Sequence, residues 1–102
     1  MPKEIEVAKV SEIPPGNAKQ VEVDGEPVAL FNVDGQFFAI HDTCTHAQAS
    51  LSEGSVEGGV VTCPWHGAQF DLKTGKNLTM PAPMPVQTYQ LKIEGDVIKI
   101  VL

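Results

Sequence analysis

The chain has 102 residues, a formal net charge of −6, 42% hydrophobic residues and no arginine. This length suits one domain with a single modest core, and no apolar run approaches the about 18 residues of a membrane-spanning helix. The acidic balance and the lack of arginine argue against nucleic-acid binding, and the first six residues lack the apolar core of a secretory signal, so the sequence predicts a cytoplasmic protein without a nucleic-acid or membrane partner.

Short apolar segments separated by turn residues predict an all-β chain. Asp24-Gly25 and Asp34-Gly35 each lie between two apolar runs, which is a strong hairpin signal. In chain order, the strands are predicted at residues 4–10, 18–23, 28–33, 37–40, 60–62, 69–72, 87–93 and 97–102. Residues 42–50 and 73–85 do not fit strands and are predicted as loops. Closely spaced strands without a helical pattern indicate an antiparallel sandwich or small barrel, and the lack of a linker predicts one domain over residues 1–102.

Two cysteine–histidine pairs are the candidate functional residues. Cys44 and His46 have one residue between them, and Cys63 and His66 have two. Two cysteines in a cytoplasmic protein are more typical of metal binding or redox chemistry than of a structural disulfide. Two thiolates and two imidazoles could hold a single tetrahedral zinc. The interleaved order of the ligands instead suits a binuclear iron–sulfur cluster, with both cysteines on one iron and both histidines on the other.

These pairs lie in segments that resemble the two ligand boxes of the Rieske-type [2Fe–2S] proteins. The boxes read Cys44-Thr45-His46 and Cys63-Pro64-Trp65-His66-Gly67, and the similarity continues through Phe70-Asp71, Gly75 and the stretch Met80-Pro81-Ala82-Pro83. It covers about residues 36–90. The resemblance implies an all-β, Rieske-like antiparallel sandwich or partial barrel. It also implies a cluster-binding subdomain of two loops, at about residues 42–85, and a proline loop that covers the cluster.

The resemblance implies one [2Fe–2S] cluster per chain, with Cys44 and Cys63 on the inner iron and His46 and His66 on the outer iron. The backbone amides at Gly67 and Ala68 would lie near the bridging sulfides, and His41 would not be a ligand. Ligation by neutral histidines leaves the oxidised cluster without net charge, so reduction is easier than with four cysteines. Trp65 fits either a packing role over the cluster or a place on the docking face.

The resemblance also predicts a reduction potential near the low end of the Rieske range. High-potential relatives carry a disulfide between the two loops, and the matching positions here are Ala49 and Trp65. Those relatives also place hydroxyl groups against cluster sulfurs, and the matching residues here are Ala68 and Phe70, whose side chains cannot donate a hydrogen bond. Without that stabilisation of the reduced state, we expect a potential of about −150 mV rather than about +300 mV.

A small standalone chain of this type is similar to the ferredoxin components of bacterial aromatic-ring-hydroxylating dioxygenase systems, especially over residues 44–54. This similarity implies a monomeric one-electron carrier rather than an enzyme. Its partners would be a flavin-dependent ferredoxin reductase and a terminal oxygenase, and contact would occur at residues 45–49 and 64–68, surrounded by acidic side chains. The chain has no dinucleotide or phosphate motif of its own. Two alternatives remain open, a small subunit of an assimilatory reductase such as nitrite reductase and a structural domain stapled by zinc.

Overall fold

Two-residue turns with positive φ angles determine how the first half of the chain folds back on itself. Asp24 and Gly25 have φ angles of 49° and 83°, and Asp34 and Gly35 have φ angles of 52° and 92°. Asp tolerates this left-handed backbone better than most residues, and glycine adopts it without steric cost. The turn twist matches the twist of paired strands, so each Asp-Gly pair forms a tight antiparallel hairpin.

The computed structural model describes residues 3–43, 50–64, 69–76, 78 and 86–102. Within these ranges the chain forms nine strands: β1 (Glu4–Lys9), β2 (Ala18–Val23), β3 (Glu26–Val33), β4 (Gln36–His41), β5 (Ser55–Glu57), β6 (Val60–Thr62), β7 (Gln69–Asp71), β8 (Thr88–Glu94) and β9 (Val97–Val101). Short 3-10 turns occur at Val10–Glu12 and Leu51–Glu53. None of the described ranges forms a helix long and apolar enough to cross a membrane.

The described strands form two antiparallel sheets. The large sheet has the order β1-β9-β8-β4-β3-β2, and the small sheet has the order β5-β6-β7. The edge strands β1 and β2 of the large sheet approach each other, and an ion pair of 3.6 Å joins Lys3 Nζ to Asp24 Oδ1 near their ends. The large sheet is therefore nearly closed into a barrel, and the small sheet is an addition inserted between β4 and β8.

Strand β3 separates two hydrophobic cores because its alternate side chains point to opposite faces of the sheet. Val28 and Leu30 pack inside the barrel, whereas Ala29 and Phe31 pack against the small sheet. The second core, here called the outer core, consists of nine buried residues: Ala29, Phe31, Ile40, Leu51, Val61, Cys63, Phe70, Leu72 and Val86. The outer core thus joins the small sheet to the barrel, and it contains one of the candidate ligands.

The predicted all-β fold class is confirmed, and the structure corrects the set of predicted strands. The strand β5 was not predicted because Ser55, Val56 and Glu57 offer only one apolar side chain. Its pairing is decided by the Gly58-Gly59 turn and by the contact of β5 with β6. Most of the predicted loop at 42–50, and residues 77 and 79–85 of the predicted loop at 73–85, lie outside the described residues.

Candidate metal centre

The first candidate segment follows strand β4 and is closed at its base by backbone contacts. Thr43 and Ser50 form an isolated antiparallel bridge, and the Leu51 N–H donates to the Asp42 carbonyl oxygen over 2.6 Å. These contacts bring together the two chain positions that flank residues 44–49. Cys44 and His46, with Ala49, belong to that segment and lie outside the described residues.

The second candidate segment follows β6 and is closed by strand pairing. Thr62 is paired with Gln69 at the end of the β6–β7 ladder, and the Gln69 Nε2 donates to Thr62 Oγ1 over 3.3 Å. Cys63 comes directly after this pair, and its side chain is only 2% exposed in the outer core. His66 belongs to residues 65–68, together with Trp65, Gly67 and Ala68, and these lie outside the described residues.

The described residues that flank the two segments pack into the same outer core. Leu51, which follows the first segment, is fully buried in the same cluster as Cys63. At Gly54 the backbone then passes so close to Thr62 that a Cβ added to the glycine would collide with the Thr62 carbonyl oxygen. This close backbone approach requires glycine, because any side chain would push Thr62 and the neighbouring Cys63 away. The chain that follows the first segment is therefore held against the chain that precedes the second.

The ends of the predicted proline loop are attached to the same region. The Leu78 N–H donates to the Gln69 carbonyl oxygen over 2.8 Å, and the Val86 N–H donates to the Gly75 carbonyl oxygen over 2.8 Å. Gly75 has a φ of 77°, and a Cβ there would collide with the carbonyl oxygen of Val86. Residues 79–85, which contain the prolines, lie between these anchors and outside the described residues.

The donor set fits a mixed-ligand iron–sulfur cluster. Thiolate sulfur and imidazole nitrogen are the ligands of such clusters, and Cys63 is placed among apolar side chains that limit access of water. Phe70, which occupies a position where high-potential relatives would carry a hydroxyl, is fully buried in the same cluster as Cys63. Phe70 and Cys63 therefore belong to one buried cluster, and the other three candidate ligands lie outside the described residues.

His41, the histidine outside the two candidate pairs, has a partner on the barrel. It is on β4, opposite Val28, and its Nε2 is 3.1 Å from the Glu26 Oε2 at the start of β3. Its imidazole therefore contacts a surface carboxylate of the barrel.

Acidic residues on the barrel form ion pairs, whereas two acids on the chain between the candidate segments are in none of the ion pairs of the described residues. On the barrel, Lys99 Nζ lies 3.0 Å from Glu94 Oε1, so the pKa of Glu94 is lowered and the pKa of Lys99 is raised by their hydrogen bond. Glu53 and Glu57 are exposed, and none of the ion pairs formed by the described residues includes them. These two acids lie on the chain between the candidate segments. That they surround the predicted docking residues 45–49 and 64–68 stays a prediction.

Sequence reasoning missed one buried polar residue at the base of the first segment. Asp42 is only 1% exposed, although a single aspartate at the end of an apolar strand normally indicates exposure to solvent. Its position two residues before a candidate ligand was the available signal, but the groups that bond to it come from distant parts of the chain.

Comparison with known proteins identifies the family of the chain. The family model described as "Rieske [2Fe-2S] domain" matches residues 3–90. The chain belongs to the Rieske [2Fe–2S] domain family, whose members bind a 2Fe–2S cluster.

Relatives within this family are ferredoxin subunits. The biphenyl dioxygenase ferredoxin subunit of Pseudomonas sp. strain KKS102 is 49% identical over 87 residues, which cover 84% of this chain and 80% of that protein. The 3-phenylpropionate/cinnamic acid dioxygenase ferredoxin subunit of Escherichia coli K12 is 50% identical over 88 residues, covering 84% and 81%. A chain in the solved complex of reduced oxygenase and oxidized ferredoxin of carbazole 1,9a-dioxygenase superposes with a TM-score of 0.89 at 35% identity, covering 95% of this chain and 91% of that chain.

Proposed function

We propose that this protein is the ferredoxin component of a multicomponent aromatic-ring-hydroxylating dioxygenase. It is a one-electron carrier and not itself an enzyme. The observation that supports this most strongly is the similarity to two dioxygenase ferredoxin subunits, which are 49% and 50% identical over 84% of the chain. The solved complex of a similar ferredoxin fold with its oxygenase supports a terminal oxygenase as the electron acceptor. We further propose a flavin-dependent ferredoxin reductase as the electron donor.

The four ligands in this proposal are Cys44 and Cys63 on one iron and His46 and His66 on the other, with one cluster per chain. The cluster supplies the centre that takes up and releases a single electron. The whole chain 1–102 is taken as one Rieske domain, with residues 42–85 as its cluster-binding part. The proposal is supported by the paired bases of the two segments, at Thr43–Ser50 and at Thr62–Gln69.

The protein's own residues determine access and polarity around the site. Cys63 lies in a cluster with Leu51, Phe70 and Leu72, all at most 2% exposed. These side chains exclude water from the buried side of the segment and offer no hydrogen-bond donor from a side chain. We therefore propose a low-potential carrier, which suits electron uptake from a reduced flavin. We also propose that it acts as a monomer in the cytoplasm.

The alternatives differ from this proposal in metal content and in partner. A zinc-stapled domain would bind zinc and be colourless, whereas a Rieske protein is brown-red. A nitrite reductase small subunit would require a tight complex with a large reductase subunit. The high identity to dioxygenase ferredoxin subunits favours the free carrier.

Reconstitution tests the proposal directly. The purified chain is mixed with the reductase and the oxygenase of a biphenyl dioxygenase system, and electron delivery is measured as product formed per NADH consumed. We expect turnover that depends on the added chain, and loss of turnover with Cys63→Ser. Metal analysis is carried out on the same preparation. One zinc per chain and no iron, or a lack of electron transfer by a chain with an intact cluster, would refute the proposal.

A further inference from the structure

Asp42 forms hydrogen bonds through every polar group that it has. Its carboxylate oxygen Oδ2 accepts from Gln20 Nε2 over 2.5 Å, and Oδ1 accepts from the Ser52 N–H over 2.8 Å. Its backbone N–H donates to the Pro27 carbonyl oxygen over 3.0 Å, and its carbonyl oxygen accepts from the Leu51 N–H over 2.6 Å. The residue is 1% exposed. Four bonds on one buried residue are more than strand pairing alone would supply.

The partners of Asp42 come from three places in the fold. Gln20 is on the edge strand β2, and Pro27 is the half-buried second residue of β3. Leu51 and Ser52 belong to the 3-10 turn that follows the first candidate segment. Asp42 itself follows β4 and lies just before that segment. The Asp42 carboxylate therefore links the chain before residues 44–49 to the chain after them, through Ser52. It also links both to the barrel, through Gln20.

Among the described residues, the Asp42 carboxylate accepts hydrogen bonds from uncharged donors alone. None of the ion pairs in those ranges includes Asp42. Burial of a carboxylate without a cation is unfavourable unless hydrogen bonds replace its hydration. The Gln20 side-chain amide and the Ser52 N–H supply that replacement here. Because both donors are bound to one carboxylate, the positions of Gln20 and Ser52 are fixed relative to Asp42.

We propose that Asp42 is a positioning residue for the first ligand segment. By holding Leu51 and Ser52 on one side and Gln20 on the other, it sets the separation and direction of the chain ends that carry Cys44 and His46. This inference rests on the proposed assignment of those two residues as ligands. Removal of the carboxylate loosens the base of the segment and speeds loss of the cluster, while the barrel stays folded.

The pair with Gln20 allows a test that separates positioning from simple destabilisation. Gln20→Glu places a second carboxylate against Asp42 and removes the donor. Adding Asp42→Asn to that variant restores one donor and one acceptor with the direction of the bond reversed. Asp42→Ala removes both side-chain bonds. Asp34→Asn is the matched control, because Asp34 is an exposed turn residue and loses the same charge.

The cluster-loaded proteins are challenged with an iron chelator, and the decay of the visible absorbance of the cluster gives the rate of cluster loss. Far-UV circular dichroism and denaturant unfolding of the apo proteins report the barrel separately. We expect Asp42→Ala and Gln20→Glu to lose the cluster at least about tenfold faster than wild type, as expected when hydrogen bonds to a buried charge are removed. The double variant should return to within about twofold of wild type.

The outcomes distinguish this inference from the proposed function. A wild-type chain that holds no iron–sulfur cluster overturns the proposed function and this inference with it. A wild-type cluster that Asp42→Ala and Asp34→Asn retain equally well overturns the positioning role alone. If Asp42→Ala does not fold, the Gln20→Glu cycle decides, and a double variant that loses the cluster as fast as Gln20→Glu overturns the proposal.

Discussion

A hydroxyl group added at Phe70 tests how the outer core sets the reduction potential. Phe70 is on β7, opposite Val61, and is fully buried in the cluster that contains Cys63. In Phe70→Tyr the hydroxyl enters this apolar cluster and must find an acceptor there. If the sulfur of Cys63 accepts the bond, the bond becomes stronger when an electron adds negative charge, so the reduced state is favoured.

The size of the effect follows from the worth of one hydrogen bond. A difference of about 1 kcal/mol between the oxidised and reduced states is the typical net worth of one intramolecular hydrogen bond. For one electron, about 1.4 kcal/mol corresponds to about 59 mV, so we expect an upward shift of about 40 mV. Ala68→Ser adds a second donor, and the double variant should shift further upward.

Protein-film voltammetry measures the potential, and denaturant unfolding shows whether the hydroxyl has a partner. A buried hydroxyl without an acceptor would cost about 1–3 kcal/mol of stability and leave the potential unchanged. Phe37→Tyr is the control, since Phe37 packs against the barrel core rather than the outer core. A wild-type potential above about +100 mV, inside the range of Rieske centres, would refute the reasoning. A double variant whose potential shows no upward shift would refute it as well.

The remaining predictions concern the ligands, the docking surface and the close approach of the two segments. His46→Cys or His66→Cys should lower the potential or prevent cluster assembly, and an unaltered electron-paramagnetic-resonance signal in either variant would contradict the ligand assignment. Electron transfer to the oxygenase should slow as ionic strength rises because salt screens surface charges, and stopped-flow rates that stay flat would show that the net charge serves solubility alone. Gly54→Ala should cost about 1–3 kcal/mol in denaturant unfolding because its Cβ collides with the Thr62 carbonyl, whereas Ser55→Ala, on the exposed neighbour, should cost much less.

Several features of this protein were determined by local sequence alone. The Asp24-Gly25 and Asp34-Gly35 turns predicted the hairpins of β2, β3 and β4 because a two-residue turn depends on the φ angles of its own residues. The bounds of β2 and β6 agree with the structure, 18–23 and 60–62. The ligand residues are equally local, since the kind of metal is indicated by side-chain chemistry and spacing. These residues nevertheless remain predictions where the structure does not describe them.

The tertiary structure decided what lies around those residues. Asp42 ends an apolar strand and reads as a surface residue, yet donors from β2 and from the turn after the first segment bury it. Gly54 is required because the Thr62 carbonyl passes beside it, and no spacing in the sequence shows that approach. Burial and long-range contacts are properties of several chain segments acting together, whereas turn geometry and ligand chemistry belong to a few neighbouring residues. The sequence therefore determined the candidate ligands and every described strand except β5. The packing of β2, β6 and the 3-10 turn decided how the described ends of the ligand segments are held.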